Sequence, residues 1–235
     1  MLSNNFYALI ITFIVALAWL RLNDFTAQRG WISSRLSRKI IHMGTGPIFV
    51  LCWPLFTNSP ASRYLAALVP FLITVQFFLV GFGLLHDEAA VQAMSRTGNP
   101  REILRGPLYY GIVFIAITIL YWYESPIGIV ALMLMCGGDG LADILGRRYG
   151  KLKLPWNPNK SWVGTLGMLI GGWFFAVGIL SGFVILGMFP SPWTTYLPAV
   201  TAIAIAGSIV ESLPLPDIDN LTVTLTAVIL GTFLF

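Results

Sequence analysis

The stretch Pro126-Ile-Gly-Ile-Val-Ala-Leu-Met-Leu-Met-Cys-Gly-Gly-Asp139-Gly-Leu-Ala-Asp143-Ile-Leu-Gly-Arg147-Arg148-Tyr-Gly150 begins as an unbroken apolar run and ends in two aspartates and two arginines. From Pro126 to Leu145 it has the length of a membrane-spanning helix, about 20 residues. Seven more apolar runs flank it, at Phe6–Leu22, Ile40–Phe56, Tyr64–Leu84, Pro107–Tyr123, Val163–Phe189, Thr195–Val210 and Leu221–Phe235. Over 235 residues, 57% are hydrophobic and 10% charged, whereas soluble domains carry about 25% charge. The pattern excludes an ordinary water-soluble enzyme. It predicts an all-α fold: a polytopic integral membrane helical bundle of seven or eight transmembrane helices, formed by residues 1–235 as a single domain.

Charge sets the expected orientation. Thirteen of the fourteen basic residues fall in three connections: Arg21 to Lys39, Arg96 to Arg105, and Arg147 to Lys160. Arg63 stands alone on the other side. The positive-inside rule then puts the N-terminus outside and every basic cluster, together with the acidic connection Glu211 to Asn220, in one aqueous compartment. The first run lacks the basic leader of a cleaved signal and is read as a retained helix. His86 to Gly106, the longest polar connection, is either a solvated loop or an interfacial helix. Cys52 and Cys136 both lie in apolar runs, which argues for packing and against a disulfide or zinc framework. The excess of +4 is assigned to topology rather than to nucleic-acid binding. Trp19, Trp122 and Trp162 are candidates for membrane interfaces, and the small residues from Gly164 to Gly172 for close helix contacts or a lipid groove.

Four polar segments carry the chemistry. Asp139 and Asp143 are four apart and share a helix face; with Gly137 and Gly138 permitting close approach, they suit Mg²⁺ carrying polyphosphate oxygens. The competing reading pairs them with Arg147 and Arg148, since Arg147 lies one turn beyond Asp143. Lys160-Ser161, followed by Gly164, suits phosphate at a helix start, but the Gly-x-x-x-x-Gly-Lys spacing of a Walker A loop is missing; a simple helix cap with an extended lysine is the alternative. Glu211, Asp217, Asp219 and Asn220 form a hard-oxygen group, or else Asp219 and Asn220 cap the final helix. Arg38 and Lys39 suit phosphate or plain interfacial anchoring. His42, one turn from Arg38, suits phosphate orientation or proton transfer, or is a buried histidine satisfied by a carbonyl.

Taken in order, Arg38-Lys39-Ile-Ile-His42-Met-Gly44, Gly137-Gly138-Asp139-Gly-Leu-Ala-Asp143-Ile-Leu-Gly-Arg147-Arg148-Tyr-Gly150, Asn159-Lys160-Ser161-Trp-Val-Gly164-Thr165 and Glu211-Ser-Leu-Pro resemble the phytol kinase branch of the CTP-dependent polyprenol kinases, which are related to dolichol kinases. The likeness runs from about Arg35 onward. It implies CTP as phosphoryl donor, phytol or a similar isoprenoid alcohol as acceptor, and a role in returning phytol toward tocopherol or phylloquinone in a cyanobacterial or chloroplast membrane. Relatives usually carry Asp-Asp-Asn in the last motif. Here Asp217-Ile-Asp219-Asn220 lacks the adjacent pair, which favours Asp219 over Asp217.

On this reading Asp139, Asp143, Glu211 and Asp219 are the metal candidates. Arg38, Lys39, Gly138, Arg147, Arg148, Lys160, Ser161, Gly164 and Asn220 are the nucleotide candidates, and Asp139, Asp143, Lys160 and His42 the catalytic ones. The partners expected are the nucleotide, the isoprenoid alcohol and membrane lipid. A cytidylyltransferase forming a CDP-lipid and a secondary transporter are the competing functions; the shared side of the acidic groups and the lack of an inverted repeat weigh against the transporter.

Overall fold

The computed structural model describes residues 2–95, 97–215 and 218–235. Arg96, counted above among the basic residues, and Asp217 lie outside the described residues. The chain is all-α apart from one small hairpin and divides into two compact units, Met1–Ile119 and Leu120–Phe235.

The first unit contains α1 (Leu2–Gln28), α2 (Ser34–Leu51), α3 (Ser62–Gly81), α4 (Glu88–Met94) and α5 (Gly106–Leu120). Asn5, polar in an otherwise apolar helix, is 3% exposed. Its amide donates to Ser62 Oγ at 3.1 Å and accepts from the Thr57 N–H at 2.8 Å, tying α1 to the turn before α3. Ser33 caps α2 by accepting from the Leu36 N–H. The core gathers Ile41, Phe77, Val80, Ala93, Met94 and Ile103. Part of the His86–Gly106 connection is therefore packed protein rather than solvated loop: α4 starts at an Asp87 cap and buries Ala90, Ala93 and Met94. Trp19, an interface candidate by sequence, also packs within the unit. Its ring fills the space beside Gly44, where a Cβ would collide with it, and its indole N–H donates to the Ile41 carbonyl at 3.4 Å.

The second unit is built around the stretch from Pro126 to Gly150. It runs as α6 (Pro126–Met133), a π-helical turn over Leu134–Gly138, and α7 (Asp139–Tyr149). Ile129 through Cys136 are essentially inaccessible, so this helix is enclosed on all sides, as its uniformly apolar surface requires. Its enclosure comes from α8 (Trp162–Ile185), α9 (Trp193–Ser212) and α10 (Asp219–Leu234). Lipid offers apolar side chains much the same environment as a neighbouring helix, so close packing has to supply the association energy. Glycines make that approach possible. A Cβ on Gly171 would meet the Gly137 carbonyl oxygen at 2.5 Å, one on Gly167 the Leu141 carbonyl at 3.0 Å, and one on Gly164 the Ala142 carbonyl at 3.2 Å. The small-residue run of α8 thus makes a close seam with the central helix.

Among the described residues, six helices are long and apolar enough to cross a membrane: Asn4–Gln28, Ser62–Gly81, Pro100–Leu120, Pro126–Tyr149, Trp162–Ile185 and Trp193–Ser212. This is the pattern of a polytopic membrane protein. The other two expected spans differ in kind. α2 starts six residues earlier than expected and takes in Arg35, Arg38 and Lys39, while α10 has 16 residues and a length of about 24 Å, short of a hydrocarbon core of about 30 Å.

Candidate active site

The π turn is the first local feature of the site. It widens the helix at the Gly137-Gly138 pair and offsets the phase between the wholly apolar α6 and the amphipathic α7; such turns recur at functional positions. Beyond it, α7 buries Gly140 and Ala142 and carries Asp139 and Asp143 half-buried. Arg147 Nε donates to Asp143 Oδ1 at 2.6 Å, so the pairing expected from the i,i+4 spacing forms. Arg148 lies over the Tyr149 ring, 5.5 Å from its centroid. Gly138 packs against Met168, and the Gly164 amide is taken by the Ser161 hydroxyl at 3.2 Å. Ser161 is accordingly the N-cap of α8, as its position before the apolar run predicts.

Between α7 and α8 the chain forms an antiparallel hairpin, β1 (Lys153–Leu154) and β2 (Asn157–Ser161), with Lys153 opposite Ser161 and Leu154 opposite Asn157. Asn157 is 4% exposed, and its amide donates to the carbonyls of Ser212 and Leu213 at 3.1 and 3.2 Å. Trp156 adds a bond from its indole N–H to Ser212 Oγ at 3.2 Å. These contacts hold β2 against the end of α9 and fix where Lys160 can reach. Sequence reasoning missed Asn157. Its signal was an asparagine within a strand, a position that residue rarely takes without a specific bond.

Lys160 then reaches Glu211. Its ammonium donates to the Glu211 carboxylate at 2.5 Å and to the Glu211 carbonyl oxygen, and lies 4.0 Å from Asp219. Glu211 is buried, and the carboxylates of Asp139 and Asp219 are both near enough to act on it electrostatically. Asp219 opens α10, accepts from the Asn220 N–H at 3.1 Å and faces Lys160, while the N-cap position falls on Ile218, with no side-chain cap bond. Gly231 sits against Ile127 and Thr224 against Met135, which sets an antiparallel register between α10 and the central helix. One turn further along that register, Asn220 stands level with Asp139. Four separated segments thus bring Asp139, Lys160, Glu211, Asp219 and Asn220 to one end of the second unit.

Arg38, Lys39 and His42 belong to the first unit. All three are half-buried; the His42 ring lies 4.5 Å from the Tyr110 ring, and the Tyr110 hydroxyl donates to the His42 carbonyl at 2.6 Å.

Among the described residues no three His, Cys, Asp or Glu side chains form a ready metal cage. Mg²⁺ does not ask for one, because it takes one or two carboxylates and completes its shell with phosphate oxygens and water. Asn220 is 8% exposed and its Oδ1 is buried without a partner among the described residues, beside Asp219. A hard oxygen with no donor beside carboxylates fits a hard cation.

No protein-family model matches the chain, and no solved structure does. Curated relatives do match. The chain is 42% identical over 237 residues to the probable phytol kinase, chloroplastic, of Triticum aestivum, covering 100% of this chain and 79% of that protein. Against phytol kinase 1, chloroplastic, of Arabidopsis thaliana the identity is 37%, covering 97% and 72%. Against the farnesol kinase, chloroplastic, of the same plant it is 42%, covering 96% and 74%. Identity at this level along nearly the whole chain places it in one family with these proteins. The chain belongs to the phytol kinase family.

Proposed function

We propose that the chain, acting as one membrane kinase domain, transfers the terminal phosphoryl group of CTP to the hydroxyl of phytol or a related isoprenoid alcohol and releases CDP. The observation that carries this reading is the meeting of Asp139, Lys160, Glu211 and Asp219 at one end of the second unit, in a chain of the phytol kinase family. Relatives named for phytol and for farnesol match about equally well, so a class of prenyl alcohols is the appropriate acceptor.

Phosphoryl transfer asks a protein mainly for positioning and charge stabilisation. Lys160 and Arg147 supply positive charge to the phosphates, with Arg38, Lys39 and Arg148 as further candidates, and Ser161 and Gly164 form the helix start that follows Lys160. Glu211 holds Lys160 in place. Asp139 takes the proton of the acceptor hydroxyl as its oxygen bonds to phosphorus, and later gives that proton to solvent. His42 is the other proton-transfer candidate. Asp143, Asp219 and the Asn220 amide oxygen would hold Mg²⁺, with Glu211 in support. When bound, the ion neutralises phosphate charge. The prenyl tail needs no polar motif, since each buried CH₂ contributes about 0.8 kcal/mol.

The same reading puts the N-terminus on the membrane face opposite the site, supported by the loop distribution of basic residues. It sets the enzyme in a photosynthetic membrane, supported by the chloroplastic relatives.

The test uses purified protein in lipid with phytol and Mg²⁺, and CTP labelled in separate experiments at the terminal phosphate and at the cytidine. Terminal label in the lipid with CDP released is the expected result. Cytidine label in the lipid identifies a CDP-lipid transferase instead.

A further inference from the structure

Threonines in the helices of this chain satisfy their hydroxyls in a consistent way. Thr12, Thr45, Thr74, Thr118, Thr224 and Thr226 each donate to the carbonyl oxygen four residues earlier. Thr201 does not, but it accepts from the Trp173 indole at 2.9 Å. Thr165 departs from both solutions. Its Oγ1 is buried and has no partner among the described residues, although the Ser161 carbonyl one turn back offers the usual one. A buried hydroxyl that forgoes a local acceptor loses its hydration without compensation, and native structures rarely keep such a group without a use.

The position of Thr165 indicates the use. On α8 it shares an edge with Met168 and Gly172, which lie against Gly138 and Leu134 of the central helix. Thr165 is one turn nearer the amino end of α8, next to Gly164, whose open side faces the Ala142 carbonyl. Ala142 directly precedes Asp143 on α7. Thr165 also lies five residues beyond Lys160, in the first turns of a 24-residue helix whose amino end favours anions. The hydroxyl can donate one hydrogen bond, and in the first turns of a helix, at its positive end, the acceptor it suits best is an anionic oxygen.

We infer that Thr165 is a nucleotide-binding residue, donating its hydroxyl hydrogen to a phosphoryl oxygen of the donor nucleotide. This rests on the kinase reading above, and it adds a contact that the sequence motifs did not assign.

The experiment measures equilibrium binding of radiolabelled CTP with Mg²⁺ to the full chain in lipid nanodiscs, for the parent protein, Thr165→Val and Thr165→Ser. KM values for CTP and phytol and the ligand-free Tm are measured alongside. Thr165→Val keeps the shape and deletes the hydroxyl. The expected result is CTP binding weakened about tenfold or more, the value for a lost hydrogen bond to a charged group, with a matching rise in the KM for CTP. The phytol KM stays unchanged, the ligand-free Tm is equal or higher, and Thr165→Ser recovers most of the affinity. Unchanged CTP binding in Thr165→Val overturns the inference and leaves the kinase reading standing if the parent transfers phosphate. A change confined to the phytol KM also overturns it, by making Thr165 an acceptor contact. A fall in ligand-free Tm that Thr165→Ser does not repair assigns a packing role instead. Failure of the parent to bind CTP defeats both this inference and the CTP-dependent reading.

Discussion

Lys160 Nζ lies 2.5 Å from the Glu211 carboxylate and 4.0 Å from that of Asp219, joining the hairpin to the ends of α9 and α10. Glu211 is 7% exposed and Lys160 24%, so deleting one partner strands the other largely out of water. The penalty for a fully buried pair is about 3–5 kcal/mol, and the solvent contact of Lys160 lowers it here. Lys160→Met is therefore expected to lower Tm and abolish transfer. Adding Glu211→Leu should restore Tm but not transfer, as read by thermal unfolding and the labelled-phosphate assay. An active double variant would make Lys160 purely structural.

Asp139→Asn keeps the volume and removes the proton acceptor. A fall in kcat of about 10²–10⁴-fold is expected, with little change in Tm. Asp143 is different: its pair with Arg147 is partly exposed and of the i,i+4 kind, so breaking it costs about 0.3–0.5 kcal/mol of stability. Steady-state kinetics across a Mg²⁺ titration separates the two aspartates: Asp143→Asn, a proposed metal-ligand change, should regain rate at high Mg²⁺, and recovery of Asp139→Asn under the same conditions would refute the assignment of the base.

The α7–α8 seam makes a prediction with its own control. Gly171→Ala drives a methyl group into the Gly137 carbonyl and is expected to cost about 1–3 kcal/mol. Gly178 on the same helix has nothing within 4 Å of its open side, so Gly178→Ala should be neutral or slightly stabilising through helix propensity. Unfolding midpoints of the two variants should move in opposite directions or differ clearly in size.

Orientation is checked by labelling. Arg101→Cys and Lys153→Cys occupy exposed positions in basic connections, and Ala61→Cys an exposed position on the connection before α3. A membrane-impermeant thiol reagent should reach the first two from one side and the third from the other. The native Cys52 and Cys136 are buried, which keeps the background low.

The fold was legible wherever one residue pattern met one physical demand. The apolar run after Pro126 required enclosure, Ser161 required a helix start, and the spacing of Asp143 and Arg147 required a shared face; all three appear. The hairpin was not legible, because its strands are short and its anchor, the Asn157 amide, finds acceptors on residues 55 and 56 positions away. The π turn escaped for a related reason: nothing local distinguishes Leu134–Gly138 from an ordinary helical turn until α8 packs against it. Within the site, the clustering of acids with Lys160 agrees with the single side that the positive-inside rule expects for their connections. Which acid Lys160 would choose depended on how α9 ends, a tertiary fact. The Asn220 oxygen and the Thr165 hydroxyl, both without a partner among the described residues, belong to the same class, since an unmet hydrogen bond is visible only when the neighbours are in place.

The enclosure of Ile129 through Cys136 also bears on biogenesis. Helices that insert one after another leave the central one facing lipid until the three that surround it have been synthesised. Asp219 and Asn220 arrive only with α10, so the acidic end of the unit is assembled at the final docking event, and a chain stalled after α9 would lack two of the groups that the proposed site requires.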